Sequence, residues 1–406
     1  MGILKYFLIA ALIVFPFGAV VRIQVAPSAY VYPLDIMLFG LACVSLYEYA
    51  LNYRKILLVP YTKALLIFLV IAFLSLLLNL FQFSFAQIII GSLYLGRFIV
   101  YANLLFVFYF LKKSFINKYF IGIFLSGLVI VSIGFTQYFF YPNLRNLYYL
   151  GWDEHLYRMF STFLDPNFVG CAFAIILLMG LYLLQTSKRT KIKTLLFVLS
   201  VLVTIGAIFL TYSRSAYIMT AVSLFIYFLF SKQKKLILVG IVIFCLGLIF
   251  VPKNLSGEGV KLLRTKSISG RFLADQHGLE IFERNIPLGV GFDMYRYSQE
   301  KNSFLDKTKW QDIHSGAGVP NSYIFILATT GVLGFIAYMY FWFYVVKSIY
   351  LNQTKKNMYA RSFMLAIIGG ILVDALFENV LFYPSLMILI FILISWYFRI
   401  FVMSDN

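Results

Sequence analysis

An all-α polytopic membrane protein is the fold class that this 406-residue sequence predicts, and three observations carry it. The chain is 62% hydrophobic and only 12% charged, where a soluble domain is about half apolar and about a quarter charged. Apolar runs recur at lengths that cross a bilayer as helix, about 17–25 residues. The basic residues, finally, are sorted from loop to loop.

About twelve apolar segments qualify as transmembrane helices, near residues 6–22, 32–50, 64–80, 87–111, 119–139, 167–186, 194–212, 215–231, 236–251, 320–346, 360–377 and 384–402. Residues 6–22 follow a lone Lys5 and lack a small-residue cleavage site after them, so they are expected to be a retained span rather than a signal peptide. The connections 51–63, 112–118, 187–193, 231–235 and 347–359, with Lys5, Arg361 and Arg399, hold 19 of the 34 basic residues against two acids, Glu48 and Asp405. The short connections on the other side hold only Arg22, Arg145, Arg158 and Arg214. By the positive-inside rule both termini are expected in the cytoplasm. The net charge of +18 is therefore read as orientation, and nucleic acid is not an expected partner.

Two outer segments exceed a turn, 140–166 and 252–319. The chain thus divides into residues 1–251 (nine spans and short loops), a large outer loop at 252–319, and three last spans at 320–406. The large loop has ten basic and eight acidic residues and an amphipathic stretch, RFLADQHGLEIF, expected at the interface or packed on the bundle. All three histidines, His155, His277 and His314, lie in these two segments. Chemistry, if present, is expected outside the cytoplasm.

Arginines carry most of the signal. Arg214 sits in TYSRSAY, in a tight turn between the seventh and eighth spans. A guanidinium among hydroxyls suits bidentate binding of phosphate; the alternative is snorkelling to headgroups. Arg97, in the fourth span, needs a partner or a wet cavity, and Asp374 or Glu378 is the expected partner. Those two carboxylates stand four apart on the eleventh span. Asp165-Pro166-Asn167 and Pro320-Asn321-Ser322 read as helix entries. The glycines of PLGVGF precede no Rossmann-like pattern, and a nucleotide fingerprint is not expected. Zinc-ligand, Walker and GxSxG patterns are not found.

In order along the chain stand Gln137 in IGFTQYFF, then STFLDPN, TYSRSAY, SGRFLADQHGLEIFERNIPLGVGF and PNSYIFILATTGVLG. Together, over roughly residues 90–340, they resemble the O-antigen ligase and O-antigen polymerase (Wzy) superfamily. The resemblance implies a metal-independent glycosyltransferase without cofactor, acting at the outer face of the plasma membrane. Its substrate would be an undecaprenyl-diphosphate-linked oligosaccharide held among membrane lipid, with a chain-length regulator as candidate partner. It assigns catalysis to Arg214 and Arg271, which would contact the diphosphate; His314, whose spacing is not the family's, is the candidate base if its loop folds back. Substrate binding falls to Arg97, Arg158, Asn167, Tyr212, Ser213, Asn321 and Tyr323. Ligases of the family carry a histidine directly before the Asn of the late span, and here that position is Pro320. Polymerase is therefore the expected activity, ligase the alternative. A transporter is the reading from another class, and it should show broken spans.

Topology is directly testable. In a background without native cysteines, an impermeant maleimide added to intact cells should label Ser256→Cys and spare Ser187→Cys. Labelling of Ser187→Cys alone overturns the orientation.

Overall fold

A computed structural model describes residues 2–26, 29–150, 152–187, 190–250, 260, 261, 266–305 and 318–403. His314 and most of the remaining stretch 251–265 and 306–317 lie outside the described residues.

The chain is nearly all helix, in the order α1 (Gly2–Val14), α2 (Pro33–Leu57), α3 (Thr62–Leu78), α4 (Phe85–Ala102), α5 (Leu104–Val107), α6 (Lys113–Phe140), α7 (Pro166–Thr186), α8 (Lys191–Leu210), α9 (Arg214–Phe230), α10 (Lys235–Phe250), α11 (Lys266–Glu283), α12 (Tyr295–Lys301), α13 (Ser322–Leu351), α14 (Met358–Asp374) and α15 (Pro384–Tyr397). Each segment expected to span contains a helix, and the first of them leaves helix after Phe17, short of the expected Arg22. Among the described residues, seven helices are long and apolar enough to cross a membrane, counting α4 as far as Phe110 and α15 as far as Val402. Helices Gly2–Phe17, Thr62–Leu78 and Arg214–Phe230 are apolar but shorter.

Burial sorts these helices. The most apolar stretch of α15 is 78% buried and that of α7 72%, whereas α8 is 17% buried. Helices α7 and α15 are thus central, and α8 presents most of its apolar surface outward, as lipid-facing surface would be. One element departs from the all-helical expectation. Strand β1 (Ile23–Ala26) pairs antiparallel with β2 (Ala29–Val31) between α1 and α2.

Small residues set how closely the helices approach, which matters in hydrocarbon because association there depends on packing. At Gly170 on α7, an added Cβ would stand 2.5 Å from the Ala216 methyl of α9. At Gly370 on α14, it would collide with Ser223 Oγ and come within 3.2 Å of Met219 O, both on α9. Ser223 Oγ donates to Ala366 O at 3.0 Å in the same contact. Helices α7, α9 and α14 are thereby locked side by side.

Helix α13 is broken at Gly331, whose φ of 66° with ψ of −170° needs glycine. The freed carbonyls are not left empty, since an unpaired backbone group in hydrocarbon costs several kcal/mol. Residues 286–291, the PLGVG stretch, fill the break: Val290 N donates to Ala328 O and Gly291 N to Thr329 O, both at 3.0 Å. Val332 N donates back to Ile286 O. Ser75 Oγ of α3 bonds Leu288 O and Thr329 O, and Asn79 Nδ2 bonds Gly289 O. A broken span was the mark expected of a transporter. Here the chain's own backbone occupies the break.

Gly370→Val should therefore cost about 1–3 kcal/mol by overpacking the α9–α14 contact. The control is Gly206→Ala on α8, where the nearest atom stands at 3.8 Å and helix propensity should make the change neutral or slightly stabilising. Thermal unfolding in detergent separates them, and equal melting temperatures refute the packing argument.

Candidate functional site

Three helices begin at the same end of the bundle, each with a side-chain cap. Asp165 Oδ1 caps α7, accepting from Asn167 N at 2.7 Å and Phe168 N at 3.3 Å. Ser213 caps α9 through Ala216 N. Asn321 caps α13 through Tyr323 N and Ile324 N. Helix N-termini carry partial positive charge, so this end favours an anion.

The turn before α9 is held from below. Tyr212 takes a left-handed conformation, φ 49°, and is buried with its hydroxyl at Tyr138. Arg158 is buried, and its Nε donates to Thr211 O at 2.9 Å while Nη2 reaches Asn167 Oδ1 at 3.2 Å. Asn167 Oδ1 also accepts from Ser213 Oγ at 2.8 Å. Ser213 Oγ lies 3.2 Å from Ser215 Oγ, and Ser215 and the Cys171 thiol are polar neighbours of the fully buried Asp374. A chain of polar groups thus runs from Arg158 to the end of α14. These bonds give Arg158, Asn167 and Ser213 a positioning role.

Above this chain the charges meet. Arg214, the first residue of α9, is within electrostatic reach of Arg271 on α11 and of Glu378 just past α14. Arg271 forms an ion pair with Glu378 and donates to Phe377 O at 2.8 Å. Burial pushes the Glu378 carboxyl up to about 8, against the opposing pull of Arg271. Burial likewise raises Asp275, one turn along α11, while Arg271 pulls it down. His155 Nε2 lies 3.7 Å from Asp165 Oδ2.

Asn321 and Tyr323 tie α13 to the end of α14. Asn321 Nδ2 donates to Leu376 O at 3.1 Å, and the Tyr323 hydroxyl to Leu372 O at 2.6 Å. Ser322 Oγ donates to Glu378 O at 3.1 Å, fixing the loop that carries the acid.

Arg97 stands elsewhere. Its expected partner was Asp374 or Glu378, but its ion pair is with Asp35 at 3.0 Å, and it also bonds Tyr30 O. The correction has a geometric reason: Asp374 and Glu378 face α9 and α11, while α4 packs on α2 and the hairpin. The sequence offers Glu378 as one of a carboxylate pair and as a partner for Arg97, whereas its ion pair is with Arg271. Residues 107 apart in sequence leave no periodic trace of such a pair.

No curated protein matches the chain. The O-antigen ligase family model (Wzy_C) matches residues 199–339, about a third of the chain, including Arg214, Arg271, Asn321 and Tyr323. Over that region the chain is similar to the O-antigen ligase family, in keeping with the motifs that carry the resemblance.

Proposed function

We propose that the protein is a polysaccharide polymerase of the plasma membrane, with both termini cytoplasmic and its site at the outer face. It transfers a glycan from undecaprenyl diphosphate to a sugar hydroxyl on another lipid-linked repeat unit. The observation carrying this reading is the approach of Arg214 and Arg271 at the end where α7, α9 and α13 begin. Two guanidiniums at one helix-N-terminal end repel each other unless an anion lies between them, and the Glu378 carboxylate, paired with Arg271, offsets them in part. A diphosphate supplies that anion.

In the reaction, the bond from the sugar anomeric carbon to the diphosphate oxygen breaks and the electron pair leaves with the diphosphate. The acceptor oxygen bonds the same carbon, and its proton passes to a base. Arg214 and Arg271 stabilise the charge that develops on the leaving group, where fixed donors lower the barrier. His314 is the proposed base, with Asp312 or Asp293 as the carboxylates next in line.

Ligase activity is the second reading, favoured by the description of the matching family model. Against it stands Pro320 where ligases carry histidine. Genetics separates the two: loss of a polymerase leaves single repeats on the acceptor lipid core, and loss of a ligase leaves polymer on the carrier lipid.

If Arg214 clamps diphosphate, Arg214→Lys should fail almost as badly as Arg214→Ala, because lysine keeps charge but loses the planar fork. The expected loss is about 2.7–4 kcal/mol, or roughly a hundred- to a thousandfold in rate. Polymer ladders in a null strain, at matched membrane abundance, provide the readout. Full activity of Arg214→Lys would remove the clamp. His314→Ala should cost about 10²–10⁴-fold if that side chain takes the proton, and wild-type ladders from it would pass the role to a carboxylate.

A further inference from the structure

Away from the arginine pair, the hairpin, α2 and α4 enclose a cavity of about 300 Å³. Its walls are mainly apolar, from Val25, Val31, Phe39, Leu93 and Val100, and Arg97 and Asp35 supply the charge. Phe39 and Leu93 are more than half exposed, on the outward side of α2 and α4. An apolar recess that opens beside exposed apolar side chains is suited to a lipid chain entering sideways from the bilayer.

The polar groups at its wall are unequally used. Asp35 accepts from Tyr101 OH, Tyr32 N and Arg97 Nη2, so its two oxygens are well engaged. Both described hydrogen bonds of Arg97 leave from Nη2, one to Asp35 and one to Tyr30 O. A guanidinium has five N–H donors, so this cation has capacity for an anionic ligand while its counter-ion is spent. The faces of Tyr94 and Tyr32, 5.1 and 5.6 Å from the guanidinium, keep it in place.

The cavity also adjoins the first site. Tyr32, whose face meets the Arg97 guanidinium, lines a second small recess with Tyr383, which donates to Phe163 O at 3.1 Å and stacks on Phe168 with ring centroids 3.9 Å apart. Phe168 N is capped by Asp165, at the start of α7.

We propose that this cavity binds the prenyl chain of a second lipid-linked glycan, the acceptor, with Arg97 at its phosphate. Its size selects the occupant. At the lower end of the range for ligand pockets, about 300–1,000 Å³, it admits a stretch of one chain, whereas a phospholipid brings two. This assignment rests on the polymerase reading, in which donor and acceptor both carry prenyl diphosphate.

Gly96 provides the test. It lines the cavity, and a Cβ there would meet no atom within 4 Å, so a side chain can start from this position, and Gly96→Phe is chosen to fill the recess. Native mass spectrometry of the full chain with undecaprenyl diphosphate should count two bound lipids on the wild type and one on Gly96→Phe, at unchanged melting temperature. Excess phosphatidylglycerol should leave the second lipid in place. One lipid on the wild type, two on the variant, or displacement by phosphatidylglycerol overturns the proposal. Adding Arg214→Ala to Gly96→Phe should remove the remaining lipid. If it stays, the donor site is misplaced while the cavity assignment stands.

Discussion

The contact between α9 and α14 is the interaction on which the arrangement of this protein turns. Without a hydrophobic drive between helices in lipid, close approach relies on small residues and on hydrogen bonds to backbone. Gly370 against Ser223 and Met219 supplies the first, and Ser223 to Ala366 O supplies the second. Because Gly170 lets α7 approach α9 equally closely, the starts of α7 and α9 come together with the end of α14. Arg214, Asn167 and Glu378 are neighbours for that reason and not through any direct preference of their own.

Two arginines in apolar surroundings illustrate two ways of holding such a charge. Arg97 is balanced by Asp35, with tyrosine faces and a backbone carbonyl around it. Arg271 has Glu378, but burial raises that carboxyl to about 8. Glu378 faces two guanidiniums, Arg214 and Arg271, so the positive charge there is offset only in part. An anionic ligand would be drawn to the second arrangement more than to the first.

What could be read in the sequence follows from physical range. Spans were legible because a stretch of about 20 apolar residues is a local signal. Helix entries at Asp165 and Asn321 were legible because a cap and its helix are adjacent in sequence. The partner of Arg97 was not, since Asp35 lies 62 residues away and several carboxylates were available. The hairpin at 23–31 has no turn signature of the Asn-Gly kind, and it left no mark against its apolar flanks. PLGVGF could be excluded as a nucleotide loop, yet its actual employment, closing the break in α13, depends on an element some 40 residues later. At the candidate site, the arginines were legible by type, and the polar chain through Ser213, Ser215 and Asp374 was not.

The filled break at Gly331 also bears on how the chain is made. Ser75 and Asn79 on α3 find their carbonyl partners at Leu288, Gly289 and Thr329, separated from them in sequence by 210 to 254 residues. Synthesis proceeds from the N-terminus, so α3 exists for most of translation without these distant partners, although Asn79 Nδ2 also has Ser75 O within reach at 2.8 Å. Hydrocarbon exacts a penalty for that. The third helix must wait beside water or insertion machinery until the thirteenth is delivered, and the last third of the protein completes the first.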